Sequence, residues 1–255
     1  MKWDLEFISR EDLKAHIKHT VEYYKETLKS INLEKFNSNL IDPIKLLFDS
    51  KVYHKDYDTI IHDEIFRHRD RTNVNAIGYF HQNIFKYIKN CEVPNKGFDI
   101  IYTDNYIKYH IELKNKHNTM NSSASQATYM KMQNEVLKTH NNTCCLVEVI
   151  ARESQDIVWN VRVQNQKMSN DRIRRMSIDR FYALVTKDDT AFYKLCKQLP
   201  IILDEILAEN PEFKPQQDTV ADELRRMNPD IEKALYLLAF RTYEGFRNQD
   251  NEDDT

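Results

Sequence analysis

Asp99, Glu112 and Lys114 fall within one stretch, GFDIIYTDNYIKYHIELKNKHNTMNSS (97–123), which otherwise reads as two β-like runs joined by TDNY. Side chains alternate along a strand, so Glu112 and Lys114 share a face with His110. Tyr109, Ile111 and Leu113 take the other face and can pack in a core. Asp99 sits between Phe98 and Ile100 and projects opposite these large apolar neighbours, so hairpin pairing can bring the acid faces together. Two carboxylates a few ångströms apart repel, and one takes up a proton unless a cation intervenes. Mg²⁺ suits such a gap, because it prefers oxygen and usually takes one or two protein carboxylates while leaving places for water and phosphate. Lys114 would orient or help deprotonate an attacking water and offset charge on a pentavalent phosphorus. The set therefore fits metal-dependent hydrolysis of a phosphodiester. An Asp followed later by E-x-K also arises by chance, and the competing reading is an ion pair on a wet sheet face.

The surrounding elements must hold these residues in place. Apolar residues recur at helical spacing in EDLKAHIKHTVEYYKETLKSI (Leu13, Ile17, Val21, Tyr24, Leu28), and residues 1–92 read as a helical N-terminal part. Residues 93–165 read as a β-β-α-β-β core: strands at 97–103 and 107–114, a helix at 122–140 with a Ser-rich start, and strands at 143–151 and 156–163. Residues 166–245 read as a helical C-terminal part, and 246–255 as an acidic tail. The expectation is a single domain over 1–255, an α/β fold with a mixed central sheet flanked by N-terminal and C-terminal helices.

Composition narrows the chemistry. With only three glycines, a glycine-rich phosphate loop or dinucleotide fingerprint is essentially excluded. The four cysteines show no CxxC spacing and the nine histidines no HExxH, so neither a structural zinc site, a disulfide framework nor a zincin is supported. Cys144 and Cys145 lie in an apolar run where at least one faces the core. The lack of any run near bilayer length and of a signal-like N-terminus leads to a cytoplasmic expectation. The formal net charge of −3 hides a basic stretch at 162–180, with six Lys or Arg against two Asp. Such a stripe is compatible with DNA binding, and equally with a solvated helix.

The motif GFDI followed by IELKNKHNTMNSS resembles the active-site block of the PD-(D/E)XK nuclease superfamily, with Phe98 where the superfamily name has Pro. More closely, NAIGYFHQNIFKYI, VPNKGFDI, HIELKNKHNTMNSSASQATYMKMQ and TAFYKLCKQLP resemble a family of Type II restriction endonucleases, some of which cut at GGNCC. The likeness spans most of residues 60–205. It implies a PD-(D/E)XK nuclease-like fold and a homodimer that hydrolyses both strands of double-stranded DNA at a short palindromic site with Mg²⁺. In that reading Asp99 and Glu112 are metal ligands and Lys114 is catalytic. Related nucleases often add an acid from an upstream helix, for which Glu64 is the candidate and Asp63 the next, against an ordinary exposed helix acid. A cognate DNA methyltransferase is expected genetically, not as a bound partner. The alternatives are a repair or structure-selective nuclease and a catalytically silent DNA-binding protein of the same fold.

Base reading needs side chains that make paired hydrogen bonds to base edges. The segment after the catalytic strand offers Asn115, Lys116, His117, Asn118, Asn121, Ser122, Ser123 and Gln126, whose other role would be capping and loop closure. Arg67 is a candidate phosphate contact, while Arg69 and Arg71 read as solvated or locally paired. In the basic stretch, Arg172, Arg174 and Arg175 are expected to meet phosphate or groove in preference to acids.

Overall fold

The computed structural model describes residues 3–38, 40–117, 119–163, 166–210 and 216–240. The chain forms two compact units, one of Met1–Val21 with Ala76–Pro211 and the other of Glu22–Asn75 with Glu212–Thr255.

The first unit contains the sheet. β1 (Cys91–Glu92), β2 (Ile100–Asp104) and β3 (Ile107–Lys116) run antiparallel. The β2–β3 hairpin closes at Asp104 opposite Ile107. Asn105 takes φ +54° there, a left-handed conformation that its short polar side chain tolerates. β4 (Asn142–Ile150) runs parallel to β3, a pairing that requires a crossover, supplied by α5 (Ser122–Lys138). β8 (Ile173–Ser177) is parallel to β4, and β5 (Asp156–Val158) pairs antiparallel with β8. The order among the described residues is β1-β2-β3-β4-β8-β5, with β6 (Val161–Val163) and β7 (Gln166–Met168) forming a separate ribbon.

β4 is central and covered on both faces, which explains its nearly unbroken apolar run. One face packs Cys144 and Leu146 with Phe98, Ile173 and Trp159 against Tyr129, Met132 and Val136 of α5. α6 (Ile178–Thr186) packs on β4 and β8, and is followed by α7 (Ala191–Ala208). Both Cys144 and Cys145 are buried, and burial pushes the Cys144 thiol up to about 12. They are core residues without nucleophilic character.

Two expectations about elements are corrected. The run 156–163 is two strands, broken at Trp159, whose N–H donates to Ile173 O, and at Asn160, whose amide donates to Val158 O. Residues 166–177, expected within the helical C-terminal part, form β7 and β8. The arginines disguised β8 as a solvated helix. Their charges are neutralised locally, so they are compatible with a strand inside a sheet.

The second unit is helical. It holds α2 (Leu33–Asn37), α3 (Pro43–Tyr53), α8 (Val220–Met227) and α9 (Ile231–Phe240), with parts of α1 (Arg10–Leu28) and α4 (Tyr57–Asn83). Its core joins Ile31, Phe36, Leu46, Ile60, Ile61, Ile65, Leu224 and Leu235. Arg69 is locally paired, donating to Asp218 at 2.7 and 3.1 Å and to Lys29 O. Asp42 caps α3 ahead of Pro43, which loses nothing at a first-turn position because no helical partner exists for its N–H. Among the described residues no helix is long and apolar enough to cross a membrane. The acidic tail at 246–255 lies outside the described residues.

Candidate active site

Asp99, Glu112 and Lys114 meet at the open end of the β2–β3 hairpin. The register pairs Ile100 with Ile111, and Asp99 continues the ladder by donating its N–H to Ile111 O at 2.9 Å. Asp99 therefore lies across from Glu112. Its carboxylate accepts the Leu113 N–H at 2.7 Å, and Lys114 Nζ donates to Glu112 Oε1 at 3.0 Å. The alternation read from the sequence holds in outline: Ile111 is fully buried, whereas Glu112 and Lys114 are partly exposed on the opposite face. His110, on the acids' face, is buried against the Phe98 ring, so the site starts only at Glu112.

A second lysine was not found by sequence reasoning. Lys131, on α5, donates to Glu112 Oε2 at 2.8 Å and to Gly97 O at 2.7 Å. The available signal was its place beside Met132, at the edge of the buried face of a helix crossing the acids' face. That signal could not be weighed without knowing which face α5 covers.

The two acids differ electrostatically. Burial, then the neighbouring Glu112 charge, raises the Asp99 carboxyl above its ordinary value, against the Leu113 N–H and the two lysines. Burial also works to raise Glu112, but hydrogen bonds from Lys131 and Lys114 outweigh it and the net direction is down. Ionised Asp99 is thus costly in the metal-free protein. The cost is absent below the ordinary carboxylate range and grows as pH rises through the raised folded value. Asn at this position still accepts the Leu113 N–H. Metal-free Asp99→Asn should therefore melt above the wild type at pH 7, with the gap closing under acid conditions; a lower melting temperature at pH 7 would refute this.

The donor set fits a hard divalent ion. Among the described residues there is no group of three or more His, Cys, Asp or Glu placed to hold a metal. Two neighbouring carboxylates, one of them made unfavourable by burial and then by the other's charge, match the way Mg²⁺ takes one or two protein carboxylates and leaves the rest of its shell to water and phosphate.

Other expected residues distribute as follows. Lys116, Asn121, Ser122 and Ser123 are exposed where β3 gives way to α5. Asn121 caps α5, accepting the Ala124 N–H at 2.8 Å, and Gln126 donates to Ser122 Oγ at 3.4 Å. Asn118 lies outside the described residues. Glu64 belongs to the second unit, where it pairs with Arg67 at 3.0 Å and Lys45 at 3.5 Å; Asp63 pairs with Lys55. Arg67 also reaches Asp49 at 3.4 Å. A catalytic role for Glu64 and a phosphate role for Arg67 rest on sequence alone.

Two arginines of the basic stretch, Arg174 and Arg175, do have acid partners, contrary to expectation, and Arg172 bonds backbone carbonyls. Arg174 binds the carboxylate and carbonyl of Asp156, both at 2.8 Å, and Arg172 donates to Thr139 O and Asn142 O. Arg175 grips Glu148 through both carboxylate oxygens and lies 2.6 Å from His117 Nδ1. Glu148 was missed because a single acid inside TCCLVEVI gives no periodic signal.

Comparisons with known proteins identify the family. A family model described as Eco47II restriction endonuclease matches residues 5–208. The chain is 28% identical over 209 residues to the Type II restriction enzyme Sau96I of Staphylococcus aureus, covering 79% of this chain and 80% of that protein. It is 26% identical over 214 residues to the Type II restriction enzyme Eco47II of Escherichia coli, covering 80% of this chain and 89% of that one. The matched region contains the whole sheet together with Asp99, Glu112 and Lys114, and the chain belongs to the Eco47II restriction endonuclease family, a site-specific deoxyribonuclease of restriction-modification.

Proposed function

We infer that this endonuclease hydrolyses phosphodiesters of double-stranded DNA with Mg²⁺ held by Asp99 and Glu112, acting in the cytoplasm as a homodimer on a short palindromic, GGNCC-like site. The observation that supports the metal reading is the meeting of two carboxylates across the β2–β3 hairpin with a lysine on one of them. The dimer is inferred from the task, since a two-fold symmetric site is most simply met by a two-fold symmetric protein.

The ion, when bound, polarises the phosphate and makes its water a better nucleophile at neutral pH. Asp99 is fixed by the Leu113 N–H, so its free oxygen keeps one direction without a large entropy cost on binding. Glu112 is held in a ladder position by β4, opposite Leu146, one residue beyond the last β2 pairing at Ile111. Lys114 carries a positive charge beside these acids and, once substrate is present, orients the attacking water and offsets charge on the phosphoryl oxygens. Lys116, Asn118, Asn121, Ser122, Ser123 and Gln126 follow directly in sequence and are the candidates for reading bases, with the α5 N-terminus offering N–H groups to phosphate.

The deciding experiment digests unmethylated phage-length DNA with and without Mg²⁺ and sequences the ends. Discrete fragments sharing one terminal motif and lost with EDTA support the reading and name the site. Fragments with no common motif on linear duplex would replace it with a structure-selective nuclease. Intact DNA that still shifts on a gel would replace it with a silent binder.

A further inference from the structure

Each oxygen of Glu112 is held by a different lysine. Lys114, two residues along the same strand, takes Oε1 at 3.0 Å, and Lys131 comes from α5 to take Oε2 at 2.8 Å. An exposed acid–lysine pair is common and worth little. This one has three further features. The Glu112 side chain is only 15% exposed. The Lys131 ammonium also bonds Gly97 O at 2.7 Å, and it lies 4.4 Å from the centre of the Phe98 ring, a favourable cation–π placement. Gly97 has φ +101°, a conformation that L side chains rarely adopt, so the carbonyl that Lys131 holds belongs to the residue type with the most backbone freedom to lose, and the bond restrains it.

Lys131 thus touches both segments that carry the acids: the 97–98 turn immediately before Asp99, and Glu112 itself. Its charge stands against the carboxylate oxygen that a divalent ion would approach to about 2.1 Å. Two cations cannot share that oxygen without strong repulsion at such separations.

We propose that Lys131 is a positioning residue that stands in for the metal: it holds Glu112 and the Gly97 turn in ligand geometry before a divalent ion arrives, and the ion must displace its ammonium from Glu112. The assignment rests on the reading of Asp99 and Glu112 as metal ligands. It differs from the role of Lys114, which stays beside the reacting phosphate. Lys131→Met removes the competitor for the ion but also the support for the turn.

The test is a calorimetric titration of the full chain with Mn²⁺ and no DNA, comparing wild type, Lys131→Met, Lys131→Arg and Glu112→Ala. Lys131→Met should bind Mn²⁺ more tightly by about fivefold, the upper scale of a partly exposed charge pair. Lys131→Arg, which keeps the cation, should stay near wild type. Thermal melts should show Lys131→Met below wild type without Mn²⁺ and level with it at saturating Mn²⁺. Equal or weaker Mn²⁺ binding by Lys131→Met, with Glu112→Ala binding lost, overturns the stand-in role alone. Wild-type Mn²⁺ binding by Glu112→Ala overturns the metal-site reading and the stand-in role together. Should Lys131→Met fail to fold, Lys131→Gln, which can still bond Gly97 O, must show the same tighter binding or the proposal falls.

Discussion

Glu112→Gln should leave no measurable cleavage at saturating Mg²⁺, and Lys114→Met should slow single-turnover cleavage by at least about 10²-fold to 10³-fold, the cost of removing one preorganised electrostatic stabiliser. Neither change should unfold the protein. Glu112 and Lys114 take their place from backbone pairing to β4, which the substitutions leave intact, and the neighbouring Ile111 makes its apolar contacts on the other face. The two variants separate the roles. Gln at Glu112 keeps the shape and removes the negative charge that would bind the ion, so raising Mg²⁺ should not rescue it. Met at Lys114 leaves both carboxylates in place, so Mn²⁺ binding should survive while the rate falls. DNA binding measured without divalent ion should stay within about threefold of wild type for both, since one side chain near a phosphate is worth little to total affinity in 0.15 M salt. Cleavage at wild-type rate by Glu112→Gln would remove Glu112 from the site. A Lys114→Met enzyme slowed less than about tenfold would make Lys114 a simple surface partner of Glu112.

The hairpin was legible because its signals were local. Alternation placed Glu112 and Lys114 opposite Ile111, and the Asp104–Ile107 closure followed from a turn in which Asn105 could take a positive φ. The crossover was legible for the same reason: a Ser-rich start and a helical pattern mark it, although the cap proves to be Asn121, just ahead of the serines. What stayed hidden depended on partners distant in sequence. β8 is a short strand whose charges find their acids on β4 and β5, and no periodicity within IRRMS reveals that. Lys131 belongs to the site only because α5 returns across the face that carries Glu112, a fact of topology that the spacing between residues 112 and 131 does not carry. The family resemblance singled out the nuclease reading of the acids over an ion pair on a wet sheet face, yet it carried no information on which arginines were already paired.

The largest stability loss should come from a residue that touches no reacting atom. Arg175→Met should destabilise the protein by about 3–5 kcal/mol in chemical denaturation at pH 7, the scale for stripping one partner from a buried ion pair. Glu148 is a fully enclosed acid on the central strand, its side chain 2% exposed, and Arg175 on the neighbouring strand bonds both of its oxygens. Methionine fills a similar space but leaves the carboxylate with His117 alone. Burial works to raise the Glu148 carboxyl, while hydrogen bonds from Arg175 and His117 outweigh it, so its folded value lies below the ordinary 4.5. A depressed carboxylate contributes stability above its unfolded value and loses it as pH falls through the folded one. Without Arg175 burial is less opposed and the variant's Glu148 takes up its proton at higher pH than the wild type's, so the gap between wild type and Arg175→Met should be largest near neutral pH and shrink as pH falls through the carboxylate range. Glu148→Met combined with Arg175→Met should recover most of the loss, because removing both charges leaves none uncompensated. The functional cost of the single change should pass through His117, which the pair holds at the exit of β3 where the exposed β3–α5 segment begins. With that anchor loosened, Arg175→Met should cut its own site less selectively against near-matches, even in conditions where it is fully folded. A loss below about 1 kcal/mol, or a double variant no better than the single one, would mean that the pair is not the keystone of the strand junction.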